Sequence, residues 1–158
     1  MENQKKEEKR TAILEIAKTE FAHRGYHGCS ISDIARRAEV AAGTIYLYFE
    51  KKEDLLVGLF LKYLGDFLAD TRPALAEVPA GEERLRRLIE LQFGFFEKDP
   101  DLARVIQVYM RERNPYIRDG VRPTLLDYFG LLHDLLESGV ACGAFDSSLD
   151  IRLARKVL

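Results

Sequence analysis

Apolar residues recur at three- and four-residue spacing along most of the chain, which is the pattern of amphipathic α-helices. In the first stretch, from Lys6 to Arg24, the apolar stripe consists of Ile13, Ile16, Ala17, Phe21 and Ala22. Gly25 ends this helix, and Arg24 lies in its last turn, where the helix dipole favours a cation. No segment shows the alternation typical of strands, so the pattern predicts an all-α fold.

Two short helices are predicted next, separated by a tight turn. The segment Ser30 to Asp33 has the form of a capping box and opens a helix from Ile31 to about Ala38. After a turn at Glu39 to Ala41, a third helix is predicted from about Ala42 to Phe49. Short helices in this order behind a longer one describe a helix-turn-helix, whose second helix enters the DNA major groove.

The third helix has two different faces. Ile45 and Phe49 lie four residues apart and are expected to anchor it to a three-helix core. The opposite face carries Ala42, Gly43, Thr44, Leu47 and Tyr48. Glycine within a helix costs about 1 kcal/mol, so its presence here calls for a reason. We expect that Gly43 permits a close approach of backbone to backbone. The hydroxyls of Tyr46 and Tyr48 are suited to phosphates, as is the charge of Lys52 at the start of the next helix.

The remainder of the chain also predicts helices. The fourth opens at Lys51 to Asp54 and continues to about Thr71, with a buried stripe of Leu55, Leu56, Leu59, Phe60, Tyr63, Leu64, Phe67 and Leu68. A break is predicted over Pro73 to Gly81. Further helices are expected at Glu82 to Lys98 (stripe Leu85, Leu88, Ile89, Phe93 and Phe96), at Asp101 to Arg113, over 116–141 with an interruption at Pro123, and from about Leu149 after a cap at Ser147-Ser148.

Composition narrows the class of protein. The 158 residues suit one compact domain or two small ones, and 47% hydrophobic with 32% charged residues is an ordinary globular composition. No stretch approaches the roughly 20 apolar residues of a membrane span, and Met1 to Arg10 lack the apolar region of a secretory signal. Two cysteines are too few for a disulfide framework. We therefore expect a soluble, cytoplasmic protein without a membrane partner.

The net charge of −2 is unevenly distributed. Residues 1–52 hold ten Lys or Arg against eight acids, whereas residues 53–158 hold fourteen bases against eighteen acids. The sign of this difference suggests that a polyanion meets the N-terminal third, although two solvated surfaces would give the same balance. The basic stretch Lys5 to Arg10 is interpreted as a frayed helix start, with a minor-groove arm as the alternative.

Other chemistry has little support in the sequence. His23, His27 and Cys29 are close together, but Gly25 breaks the helix between the histidines and there is no fourth ligand nearby, so no metal is expected. There is no Gly-rich phosphate loop, no nucleophile motif and no recognisable carboxylate pair. The sequence therefore predicts neither an enzyme nor a cofactor.

The segment from Cys29 to Leu56, CSISDIARRAEVAAGTIYLYFEKKEDLL, strongly resembles the DNA-binding domain of the TetR (tetracycline-repressor) family. The matching residues are Gly25-Tyr26, Ile34-Ala35, Val40, Gly43 to Tyr46, Tyr48-Phe49 and Lys52 to Leu55, which together cover roughly residues 8–60. Ala41 and Lys51 depart from the family, which often has a capping Ser or Thr at the first position and Ser or Asn at the second. The Thr44 to Phe49 run is also similar to members that sense fatty acyl-CoA.

The resemblance implies a DNA-binding set consisting of Ser32, Ala42, Gly43, Thr44, Tyr46, Leu47, Tyr48 and Lys52. Thr44, Tyr46, Tyr48 and Lys52 would contact phosphates, and Ala42, Gly43 and Leu47 would lie at base edges. Base contacts would then be mostly apolar, for example to thymine methyl groups. It further implies a helix-turn-helix domain over 1–53 and a helical effector-binding and dimerisation domain over 54–158. The second domain is expected to be incomplete at its C-terminus.

The implied function is a ligand-responsive repressor that binds a pseudo-palindromic operator as a homodimer. A small apolar or acyl effector, such as a fatty acyl-CoA, would tilt the fourth helix (Asp54 to Thr71) and release the DNA. The candidate effector-binding residues are Phe60, Leu64, Phe93, Phe96, Tyr109, Tyr128 and Phe129, although each is also a plausible core residue. The alternative function is a helical small-molecule or lipid sensor or carrier that does not regulate DNA.

Overall fold

The computed structural model describes residues 2–154, in which all regular secondary structure is α-helical. The eight helices are α1 (Glu2–Arg24), α2 (Ile31–Arg37), α3 (Ala42–Tyr46), α4 (Lys52–Ala76), α5 (Glu82–Lys98), α6 (Pro100–Arg111), α7 (Pro115–Ala141) and α8 (Ile151–Ala154). The predicted all-α class is confirmed. In the part of the chain described, no helix combines the length and the apolar character needed to cross a membrane.

The helices form two compact units. One unit takes in the chain up to Leu61 together with Asp99–Val121, and the other takes in Lys62–Lys98 together with the chain from Arg122. The predicted domain boundary at residues 53 and 54 falls near the start of α4 and stays a prediction. In the last helix, Ile151 and Ala154 pack on the core of the second unit, and Leu158, which continues their helical spacing in the sequence, lies outside the described residues.

The core of the first unit joins α1, α2, α3 and the first turns of α4. Phe21, Ile34, Ile45 and Leu59 are completely buried, as are several further apolar side chains of these helices. Gly25 adopts a φ of 73° directly after α1, and its N–H donates to the carbonyl of Phe21, as expected for a glycine that ends a helix. The predicted fourth-helix stripe is confirmed in this unit by Leu55, Leu56, Leu59 and Phe60.

Two prolines do not interrupt their helices, contrary to the sequence prediction. Pro73 lies inside α4, which ends at Ala76, and Pro123 lies inside α7. A proline within a helix costs about 3 kcal/mol, whereas burial of one Leu side chain contributes about 1.5–3 kcal/mol. Leu75 after Pro73 is buried in the second core, and Val121 before Pro123 is buried in the first unit. Several apolar residues are buried on both sides of each proline, and their summed burial outweighs the local cost; they are Phe67, Leu68 and Leu75 in α4 and Val121, Leu131 and Leu132 in α7.

Two smaller corrections follow from helix geometry. The predicted α5 stripe included Phe93, but 67% of Phe93 is exposed. Leu85 and Leu88 face the core as predicted, together with Leu91 and Phe95, which the prediction had left out. Phe93 follows Leu88 by five residues, which rotates it by about 140° around the helix. The last helix begins at Ile151, not near Leu149, because Asp150 accepts the N–H of Leu153 while Ser148 hydrogen-bonds to Asp146.

Candidate nucleic-acid interface

The helix α3 is held on its inner side by apolar burial. Ile45 is completely buried and Phe49 is 3% exposed, so the two predicted anchors are confirmed. The regular helix ends at Tyr46, earlier than predicted, and a turn with Leu47 as C-cap follows. Ala41 at the N-cap offers no side-chain acceptor, so this helix begins without a side-chain hydrogen bond. Packing of the anchors, not capping, is what stabilises this short helix.

The outer side of α3 presents apolar and phenolic groups to solvent. Leu47 is 76% exposed and Tyr46 is 53% exposed, while Gly43 is exposed as well. Ala42, Thr44 and Tyr48 are partly exposed. An added Cβ at Gly43 would meet no atom within 4 Å outside its own helix, among the residues described. The expected close approach of Gly43 to another backbone is therefore not made by residues 2–154, and among them the space beside Gly43 is open.

The N-terminus of α2 lies beside this surface and is fixed by a complete capping box. The N–H of Asp33 donates to Ser30 Oγ over 3.1 Å, and Asp33 Oδ2 accepts the N–H of Ser30 over 3.0 Å. The Ser30 hydroxyl also donates to Asp33 Oδ2 over 2.6 Å, and this hydrogen bond together with that from the Ser30 N–H lowers the pKa of Asp33 to about 2. The predicted capping box is thus confirmed. It orders the first turn of α2, from which the exposed Ser32 projects.

Lys52 is tied to the turn between α1 and α2. Its Nζ donates to the carbonyl of Tyr26 over 2.9 Å and to that of Cys29 over 3.2 Å, and lies 4.2 Å from the centroid of the Tyr26 ring. Burial raises the pKa of both the Tyr26 phenol and the Cys29 thiol, the latter to about 11. Lys52 therefore orders this turn, which sequence reasoning did not anticipate.

Three residues of the predicted DNA-binding set surround one open recess. Ser32, Tyr46 and Lys52 all line a concavity of about 430 Å³, whose remaining wall is formed by residues 27–31 and Asp33. The recess combines a hydroxyl, a phenol and an ammonium with the N-terminus of α2. Groups of this kind bind phosphate oxygens in protein–DNA interfaces. These residues come from three successive elements between positions 32 and 52, and the fold brings them to one surface.

The arginines near this surface are largely neutralised by acids. Arg24 and Arg37 both pair with Glu20, at 3.2 and 3.3 Å, and Arg36 pairs with Asp33 at 2.5 Å. Residues Lys5 to Arg10 lie within α1, which begins at Glu2. The excess of positive charge in residues 1–52 therefore lies partly on arginines that are paired with acids and partly on the N-terminal turns of α1.

The histidines near the interface face carboxylates. His23 Nε2 lies 3.2 Å from Asp101 Oδ1, and His27 Nε2 lies 3.0 Å from Glu112 Oε2. Within residues 2–154, no group of three or more His, Cys, Asp or Glu side chains is placed to hold a metal ion. Both pairs join the α1–α2 region to the ends of α6, in the same unit.

The candidate effector residues fall into both units. The rings of Phe60 and Tyr109 pack against each other in the first unit, tilted by 46° with centroids 4.3 Å apart. In the second unit, the Tyr128 ring contacts that of Phe129 at a tilt of 54° with centroids 5.8 Å apart, and its hydroxyl accepts a hydrogen bond from Gln92. Leu64 and Phe96 are half-buried, whereas Phe93 is mainly exposed. The hydrophobic core of the second unit consists of Phe67, Leu68, Leu75, Leu88, Leu131, Leu132, Leu135 and Leu136.

The arrangement of α1 to α3 defines the class of protein. A short helix follows another across a turn, is anchored by Ile45 and Phe49, and exposes its other side beside the N-terminus of α2. This is the geometry of a helix-turn-helix, in which the second helix enters the major groove. The fold and the site therefore define a DNA-binding protein.

Comparison with protein families shows to which family of DNA-binding proteins the chain belongs. Residues 13–59 match the family described as bacterial regulatory proteins, tetR family, and residues 60–158 match the C-terminal region of the YsiA-like protein. The chain belongs to the TetR family of bacterial transcriptional regulators, as the resemblance implied.

Individual relatives share most of the chain. The fatty acid metabolism regulator protein of Bacillus subtilis (strain 168) is 36% identical over 146 residues, which are 92% of this chain and 75% of that protein. The transcriptional repressor KstR2 of Rhodococcus jostii (strain RHA1) is 27% identical, over 95% of this chain and 74% of that protein. The crystal structure of the regulator FadR from Bacillus subtilis in complex with stearoyl-CoA has a TM-score of 0.87 at 35% identity, covering 93% of this chain and 79% of that one.

Proposed function

We propose that this regulator is a repressor that binds a pseudo-palindromic operator as a homodimer and is released by a long-chain fatty acyl-CoA. The observation that carries the DNA-binding part is the exposure of α3. One side of this helix is completely buried at Ile45, while Leu47 next to it is 76% exposed. A large apolar side chain kept in solvent on an anchored helix is suited to contact with bases in the major groove.

We assign the contacts by the position of each group. Ala42, Gly43 and Leu47 lie on the open side of α3 and would meet base edges, with Leu47 suited to a thymine methyl group. Phosphate oxygens would accept hydrogen bonds from the hydroxyls of Ser32, Thr44, Tyr46 and Tyr48. An ammonium has three N–H donors, and Lys52 gives two of them to the carbonyls of Tyr26 and Cys29. The third remains for a phosphate.

The proposed effector follows from the relatives and from apolar side chains of this chain. FadR of Bacillus subtilis was crystallised with stearoyl-CoA, and the fatty acid metabolism regulator of the same species is 36% identical to this chain. The aromatic and aliphatic candidates Phe60, Leu64, Phe96, Tyr109, Tyr128 and Phe129 are suited to an acyl chain. Phe93 is the candidate that the structure supports least, because it is mainly exposed. We propose that the protein acts in the cytoplasm without catalysing a reaction.

Replacement of Gly43 by Ala separates a DNA contact from a folding effect. The space beside Gly43 is open, and Ala is favoured over Gly in a helix by about 0.5–1 kcal/mol, so the variant should be slightly more stable than the wild type. If bases lie against this glycine, the added methyl group should reduce operator affinity about tenfold or more. Urea denaturation and fluorescence anisotropy with labelled duplex DNA measure the two effects.

Gly94→Ala is the matched control for this variant. Gly94 lies within α5, and a Cβ there also meets no atom within 4 Å among the residues described, outside its own helix. It should give a similar gain in stability with unchanged DNA affinity. Unchanged affinity in Gly43→Ala would remove the start of α3 from the DNA interface.

A further inference from the structure

The start of α7 contacts the start of α4, close to α3, which is the proposed recognition helix. Tyr116 Oη donates a hydrogen bond to Asp54 Oδ1 over 2.6 Å. The Nζ of Lys51 lies 3.3 Å from the centroid of the Tyr116 ring. The other oxygen of the Asp54 carboxylate, Oδ2, accepts the backbone N–H of Lys51 over 3.1 Å. Each of these three residues therefore contacts the other two, and we call them the Lys51–Asp54–Tyr116 cluster.

Tyr116 is held in place by its neighbours in the segment that joins α6 to α7. Its backbone N–H donates to Asn114 Oδ1 over 2.9 Å, and Asn114 Nδ2 donates to Glu53 Oε1 over 3.4 Å. The N–H of Asn114 donates to Glu112 Oε1, and Glu112 Oε2 lies 3.0 Å from His27 Nε2. The position of the Tyr116 ring over Lys51 is therefore fixed by a chain of contacts on both sides.

Lys51 is placed where a cation would ordinarily reach DNA. It directly precedes α4, two residues after the anchor Phe49, and its side chain is exposed. Helix N-termini next to a recognition helix are common positions for phosphate contacts. Here the ammonium instead lies over the negative face of an aromatic ring, which is a cation–π interaction. This contact holds the Lys51 ammonium against the start of α7.

We propose that Tyr116 is a positioning residue that withholds the Lys51 ammonium from the DNA phosphates and thereby sets operator affinity. This inference rests on the proposed function, because it concerns the same DNA interface. Tyr116 belongs to α7, which continues to Ala141 and supplies Leu132 and Leu135 to the core of the second unit. A ligand that moves the start of α7 would change the number of phosphates that the protein contacts.

Replacement of Tyr116 by Leu tests this directly. Loss of the ring should free Lys51 for one additional phosphate contact in each protomer. The dependence of log K on log salt concentration should then become steeper by about 0.9 per protomer, which corresponds to about 3.5-fold between about 50 and 200 mM KCl. Affinity at the lower salt concentration should rise. Tyr116→Phe keeps the ring and removes only the hydroxyl, so its salt slope should stay close to that of the wild type.

The probe is a labelled duplex of about 30 base pairs, long enough for two half-sites, that the wild-type protein enriches from a random-sequence pool. Lys51→Gln alone should leave the salt slope unchanged, because Lys51 does not contact phosphate in the wild type under this proposal. In the Lys51→Gln background, Tyr116→Leu should no longer steepen the slope. If Tyr116 had only a structural role, Tyr116→Leu would lower the melting temperature, and any change in the salt slope would be the same with and without Lys51→Gln.

The outcomes separate the two proposals. Failure of the wild type to enrich or bind any duplex would overturn the proposed function. If the wild type binds, an unchanged or shallower slope for Tyr116→Leu would overturn only the role of Tyr116. A shallower slope for Lys51→Gln alone would overturn it as well, because Lys51 would then already contact phosphate. This second variant gives an answer even if Tyr116→Leu does not fold.

Discussion

Replacement of Ile45 by Ala should lower the free energy of unfolding by about 2–4 kcal/mol and remove measurable operator binding. Ile45 is completely buried between α3 and the rest of the first unit, so truncation removes apolar contacts and leaves a cavity. The short helix α3 has no side-chain cap at Ala41 and depends on this anchor. Urea denaturation followed by circular dichroism measures the loss of stability, and anisotropy with duplex DNA measures the loss of binding.

Leu47→Ala is the matched control, two residues further along the chain. Leu47 is 76% exposed, so its truncation should change stability by no more than about 0.5 kcal/mol. Operator affinity should nevertheless fall, since Leu47 is proposed to contact bases. If Leu47→Ala destabilised the protein as much as Ile45→Ala, the assignment of the inner and outer sides of α3 would be wrong.

Replacement of Asp99 by Ala should lower the free energy of unfolding by about 2–4 kcal/mol. Asp99 has two roles in the first unit. Its Oδ1 accepts the N–H of Leu102 over 3.2 Å at the start of α6, and its Oδ2 pairs with the ammonium of Lys18 on α1, which is 7% exposed. Loss of an N-cap costs about 1 kcal/mol, and removal of one anionic partner from a buried cation costs about 1–3 kcal/mol more. Thermal and urea denaturation measure the sum.

Asp99→Asn divides the two contributions. Asn is as good an N-cap as Asp but carries no charge. Asp99→Asn should therefore keep the stability that comes from capping α6 and lose the stability that comes from the ion pair with Lys18. Equal losses for the Asn and Ala variants would show that the cap contributes nothing. A loss below about 1 kcal/mol for Asp99→Ala would contradict the placement of Asp99 between α1 and α6.

Local features of the interface could be predicted from the sequence because short-range physics determines them. The capping box of Ser30 and Asp33 joins residues three apart, and the anchors Ile45 and Phe49 are four apart. Helical spacing and side-chain capping are sufficient to find both. The prolines in α4 and α7 were misjudged for the opposite reason. Their local cost is real, but burial of apolar residues on either side outweighs it.

Contacts between distant parts of the sequence could not be predicted in this way. Tyr116 and Asp54 are 62 residues apart, and Lys18 and Asp99 are 81 apart. No periodicity or motif relates such pairs, since they depend on how α6 and α7 pack within the first unit. The carbonyl partners of Lys52 were missed for the same reason, although its proximity to the interface was expected. The assignments of the individual DNA and effector contacts stay predictions.

Binding of an enriched duplex, with and without stearoyl-CoA, is the most direct test of the proposed function. We predict tight, salt-sensitive binding by the full chain that falls when stearoyl-CoA is added, and that persists when acetyl-CoA, which lacks the long acyl chain, is added instead. Binding of stearoyl-CoA without binding of any duplex would contradict this account and would favour a lipid sensor or carrier that does not regulate DNA.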